Sequence, residues 1–235
     1  MSSNDLVLIQ GLRDTRAALE RWRRSPGPVL RGWFGASAAV ALGLLCAVLA
    51  VAEASQPDLT PVYISGVSGP VTVGDFGLIL ARNSLVLALH ALACVAGFMA
   101  GSSLQHAARR RTGLSRLIHE KASPVAIAWV VAVTTFSLLT QAYVLGSQGA
   151  TLAAQLGISP ATLLLTALPH ALPELIGLFL PLAAWLIASR RDEWADLLAA
   201  TFVTVALAIP LLLASAAIEL LVWPDLLRAA SPWLG

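Results

Sequence analysis

The sequence predicts an all-α, polytopic membrane protein: a bundle of five transmembrane helices, the fourth broken by proline, preceded by an amphipathic helix. Three observations predict it. Apolar residues make up 57% of the 235-residue chain and charged residues only 12%, against about 25% charge in an ordinary soluble domain. Five apolar stretches are long enough to cross a bilayer, which takes roughly 20 residues. Lys and Arg fall almost entirely between alternate stretches. The expected organisation is a cytoplasmic helix or tail over 1–31, a membrane domain over 32–224 and an extracytoplasmic tail over 225–235.

The elements follow in chain order. Leu8, Leu12, Thr15, Leu19 and Trp22 recur at helical spacing, with Arg13, Glu20, Arg21 and Arg24 opposite. That pattern predicts an amphipathic helix lying on the membrane surface; a solvated tail is the alternative. Trp33–Val51 is the first span. It follows a charged stretch and is too long for a signal-peptide core, so the chain is expected to keep it. Gln56–Gly74 is rich in Pro, Gly and Ser and reads as a loop. The second span is expected over Asn83–Leu104 and the third over Val125–Leu145. A loop over Gln148–Pro160 comes next. The fifth span is expected over Leu197–Val222, with a kink at Pro210.

The fourth stretch, Ala161–Ser189, holds Pro169, Pro173 and Pro181. Proline fits the first turn of a helix and fits its interior badly. A break near Pro169 is therefore expected, with a spanning helix from there to Ser189. An unbroken, steeply tilted helix is the competing reading.

The positive-inside rule sets the orientation. Six Arg lie in the N-terminal tail. Arg109, Arg110, Arg111, Arg116 and Lys121 lie in the second loop. Arg190 and Arg191 follow the fourth stretch, and only Arg82 and Arg228 remain. The protein is expected in the cell (inner) membrane, N-terminus in the cytoplasm and C-terminus outside.

On this topology Asn83, at the start of the second span, His170 and Glu174, early in the fourth, and Glu219, late in the fifth, share one level near the outer surface. His170 and Glu174 are one helical turn apart and face the same way. Ionisable groups within a membrane span are costly and need partners. The cluster is read as structural polar packing, a partner or conformational site, or an ion or proton site. Asn83, Leu87, His90, Cys94, Gly97 and Gly101 form one stripe on the second span. His90 is read as a core histidine bonded to a neighbouring helix. Gly97 and Gly101 form a small-xxx-small pair, packing internally or against a partner or second copy. Cys46 and Cys94 read as small apolar residues, neither a disulfide nor a metal pair.

No enzyme is expected. His170 and Glu174 supply two metal ligands where a catalytic zinc needs three. The sequence has no His-Glu-x-x-His, Gly-x-Ser-x-Gly or Walker motif. No cofactor or metal is expected. The Arg109–Arg111 run reads as a topology determinant touching anionic lipid, not as a nucleic-acid site.

Pro169-His170-Ala171-Leu172-Pro173-Glu174-Leu175 resembles the Pro-His-Gly-x-x-Glu-Leu/Ile segment of the stage II sporulation protein M family. Asn83, leading an apolar helix with Gly97 and Gly101, resembles that family's second helix. Ala216-Ala217-Ile218-Glu219 resembles its Ala-x-Ile-Glu ending. The resemblance spans about residues 75–225. Ala171 departs from it, standing where glycine often follows the histidine. The resemblance implies a non-enzymatic scaffold or assembly subunit, with membrane or cell-wall-remodelling proteins as partners. A small permease or channel-like subunit is the alternative.

Overall fold

The computed structural model describes residues 7–58, 60–99 and 114–234, with side chains except at 7–10, 114–127 and 129. The helices are α1 (Val7–Arg24), α2 (Pro26–Ala54), α3 (Val73–Phe98), α4 (Leu114–Gln155), α5 (Pro160–Arg191), α6 (Leu197–Leu221) and α7 (Trp223–Ala230). A 3₁₀ turn at Trp194–Asp196 leads into α6. Among the described residues five helices are long and apolar enough to span a membrane: α2, α3, the Val130–Gln155 part of α4, α5, and Trp194–Leu221. The chain is an all-α helical bundle of a multi-pass membrane type. Its lower end is the one that carries α1, and its upper end the one that carries α7.

α5 is the axis of the bundle, packing against α2, α3 and α6. It does not break at Pro169. It begins at Pro160, where the Ser159 hydroxyl accepts from the Thr162 amide at 3.1 Å. Pro160 thus takes the first-turn position that the sequence predicts for Pro169. Pro169, Pro173 and Pro181 all lie inside one continuous helix. In a membrane protein neighbouring helices and side chains re-satisfy the backbone that proline disturbs. Three side chains of neighbouring helices also bond to carbonyls in the lower half of α5, beside Pro181, though not to the Leu165, Pro169 and Gly177 carbonyls that its prolines leave without their i+4 donor. Ser37 Oγ donates to Ile176 O at 2.6 Å, and Cys94 Sγ donates to Pro181 O at 3.0 Å. His90 Nδ1 lies 2.9 Å from Leu178 O. A carbonyl only accepts, so that nitrogen carries the proton. Around these bonds Phe179, Leu180 and Pro181 are fully buried.

Other boundaries also move. α3 begins at Val73, not Asn83, because Thr72 and Asp75 form a reciprocal capping box, with bonds of 2.8 and 3.2 Å. Asn83 is therefore well inside the helix. α4 continues to Gln155, so the expected 148–160 loop shrinks to residues 156–159. The Gly97 face of α3 is internal. A Cβ on Gly97 would lie 2.6 Å from Trp185 Nε1 and 3.0 Å from Leu197 Cδ1. Gly101 and Arg109–Arg111 lie outside the described residues.

The two ends of the bundle differ. At the lower end α1 packs on the start of α6. Its contact face is Gly11 and Ala18, with Thr15 and Trp22 half-buried, whereas Leu12 is 70% exposed. The expected stripe is thus rotated. Arg21, expected on the solvent side, pairs with Asp196 at 2.5 and 2.7 Å. At the upper end residues 225–234 pack onto the bundle. α7 seats the fully buried Leu227 beside Ile64, Ala153, Leu156 and Leu163. Arg228 donates to Gly66 O, and Ser231 Oγ donates to Leu156 O at 2.7 Å. Gly66 has a positive φ of 82°, and a Cβ there would meet Pro224 Cγ at 2.6 Å. Only glycine suits both demands.

Candidate functional site

A cavity of about 330 Å³ lies in the upper half of the bundle, within the range typical of small-molecule sites. α2 supplies one wall with Leu44, Leu45 and Val48. α4 supplies Leu145, Gln148 and Leu152. Leu163 and Leu164 of α5 complete an apolar lining, and α3, α5 and α6 bring polar groups to the opposite side.

Asn83, His170, Glu174 and Glu219 all line this one cavity. The capping box of α3 sets the register that points Asn83 inward. Continuity of α5 through its prolines places His170 and Glu174 one turn apart. Glu219 arrives on the last turn of α6. Gly97 lies away from the cavity, and Pro169 and Pro173 are not among its lining residues.

Two of the four are nearly fully buried. Asn83 and His170 are each 7% exposed. Yet Asn83 Nδ2 and His170 Nδ1 have no hydrogen-bond partner. Buried polar atoms without partners are rare in native proteins, and each calls for an explanation. The His170 ring instead packs on Trp223, with centroids 5.0 Å apart. The Glu174 carboxyl lies near Glu219, Asn83 and Arg82. Its approach to the Asn83 amide stops short of a formed hydrogen bond. Glu219 also interacts with Arg82. The site thus gathers two carboxyl groups, one guanidinium and two unpartnered nitrogens beside a leucine-rich wall.

The sequence reading misses Arg82, Gln148 and Trp223. It leaves Arg82 and Gln148 in loops because it makes two helices too short. The Thr72-x-x-Asp75 capping pattern is the available signal for Arg82. Trp223 is brought against His170 by the turn between α6 and α7, which no spacing rule encodes. Among the described residues no group of three His, Cys, Asp or Glu side chains is placed to hold a metal ion.

Comparisons with protein-family models, characterised proteins and solved structures return no match to this chain.

Proposed function

We propose that this chain is a non-enzymatic binding subunit of a membrane assembly, and that α4 is where it meets its partner. The observation that carries this reading is a mismatch between packing and polarity. Among the described residues, the Val130–Gln155 part of α4 is the least buried of the five spans, with 11% of its window inside the bundle, against 61% for α5. A helix left to face lipid should present apolar side chains outward. Thr135 and Thr140 are instead exposed on α4, beside Phe136, Leu139 and Tyr143. Small hydroxyl side chains at membrane depth suit a helix–helix contact.

The resemblance around His170 and Glu174 supports the same reading and points to a cell-envelope or peptidoglycan-remodelling partner. The lysine and arginine distribution supports placement in the inner membrane, N-terminus inside and C-terminus outside. A permease is the weaker reading. The cavity belongs to the upper half, and the lower half of α5 is filled by Phe179, Leu180 and Pro181.

A photo-crosslinking amino acid at Thr140 tests the proposal in intact cells, with Leu85 of α3, an exposed apolar position, as the lipid-facing control. A discrete protein adduct is expected from 140 and none from 85. An adduct of doubled mass would identify the partner as a second copy. Lipid adducts alone from both positions would overturn the assignment of α4.

A further inference from the structure

We propose that the upper cavity binds an amine-bearing phospholipid, holding its ammonium and phosphate at the polar side and one acyl chain along the leucine wall. The carboxyl groups of the site come first. Glu174 and Glu219 face a single guanidinium, Arg82. Two carboxyl groups beside one guanidinium line the cavity and offer more acceptor oxygens than Arg82 alone engages. A ligand ammonium donates to those oxygens.

The orphaned donor is the second observation. Asn83 Nδ2 is buried and unpartnered. It can only donate, so a ligand oxygen within reach satisfies it and leaves Glu174 free for the ammonium. Arg82, the neighbouring residue in sequence, favours the same group, because guanidinium pairs readily with phosphate. A head group with an ammonium and a phosphate oxygen therefore meets both demands at once.

The apolar wall and its access decide between a lipid and a soluble head group. Leu44, Leu45 and Leu164 form a lining that a small polar molecule would leave uncovered. Leu145 on the same wall is 40% exposed on the bundle surface. α2 and α3 both line the cavity, yet α2 packs mainly on α4 and α5 while α3 packs mainly on α5 and α6. The cavity thus reaches a seam from which a chain can enter sideways. This inference is independent of the assembly reading, which rests on α4.

The test uses the full chain purified in detergent, stripped of lipid. It is offered equal amounts of phosphatidylethanolamine, phosphatidylcholine and phosphatidylglycerol with identical chains, and retained lipid is counted by native mass spectrometry. Phosphatidylethanolamine should be retained at least tenfold over the others. The choline head cannot donate a hydrogen bond, and the glycerol head carries no cation. Glu174→Gln and Leu164→Trp, one removing charge and one filling the wall, should each reduce retention about tenfold. Free phosphoethanolamine at equal concentration should not displace the lipid. Equal retention of the three lipids would overturn the proposal. So would unchanged retention in both variants, or displacement by the free head group. If either variant fails to fold, the lipid preference of the unmodified protein decides alone.

Discussion

Ser37, His90 and Cys94 each place a polar hydrogen on the backbone of α5, at Ile176, Leu178 and Pro181. None is in the cavity, and together they tie the lower half of α5 to α2 and α3. Such bonds between membrane helices contribute roughly 0.6 kcal/mol on average and up to about 1.7. Ser37 is fully buried and its bond is short. Ser37→Ala should therefore cost about 1 kcal/mol, measured as a shift in the SDS-unfolding midpoint of the purified protein. An unchanged midpoint would show that α5 does not depend on this donor. His170 behaves oppositely. Its Nδ1 has no partner while its ring packs on Trp223. His170→Phe keeps an aromatic ring and removes a buried unpaired atom, a burden of roughly 1–3 kcal/mol. The variant should match or exceed the parent in lipid-free detergent. A clear loss of stability would mean that His170 has a polar partner that its surroundings do not reveal.

At the scale of the element, close approach is concentrated at two glycines. Gly97 lets α3 lie against Trp185 of α5 and Leu197 of α6, and Gly146 lets α4 lie against α2. A Cβ on Gly146 would be 2.7 Å from Val48 O and 2.6 Å from Val51 Cβ. Backbone cannot yield as a flexible side chain can, so Gly146→Ala should push α4 off α2. Gly97→Leu should do greater damage, because it strikes the core between α3, α5 and α6. The expected order of folded yield, by fluorescence-detection size exclusion, is parent, then Gly146→Ala, then Gly97→Leu with little or none. A well-folded Gly97→Leu would contradict the internal placement of that face. The spans are legible in the sequence because a membrane helix is defined mainly by length and apolarity. The polar cluster is legible because ionisable groups in such helices stand out. The place of Pro169 inside a helix is not, since a membrane helix tolerates an internal proline through its packed neighbours, which spacing along the chain does not reveal. Nor does the sequence separate the inner face of α3 from an outer one. Glycine at the two-helix spacing reads the same in both, and only Trp185 on the opposing helix decides.

At the scale of the whole molecule, the two ends are built from different material, and this makes orientation testable. α1, with its arginines, and Arg190 and Arg191 occupy the lower end. The 55–72 loop and α7 close the upper end, where Gln155 ties the loop through Val62 N at 3.0 Å and Thr60 O at 2.7 Å. Thirteen of the fifteen Lys and Arg lie within residues 1–31, 109–121 and 190–191, so the lower end should face the cytoplasm. Cysteine labelling can read this, provided the sites are exposed. Ser231 is unsuitable because it is buried and bonded to Leu156 O. Ser68 and Arg191 are exposed at opposite ends. The native thiols need separate treatment. Cys46 is exposed on α2 and can be replaced by Ala, whereas Cys94 bonds to Pro181 O and is better replaced by Ser. In that background, a membrane-impermeant maleimide should label Ser68→Cys in intact cells and leave Arg191→Cys unlabelled until the cells are opened. The reverse pattern would invert the bundle and place the cavity on the cytoplasmic side. Labelling of both in intact cells would mean that the charge asymmetry does not fix a single orientation.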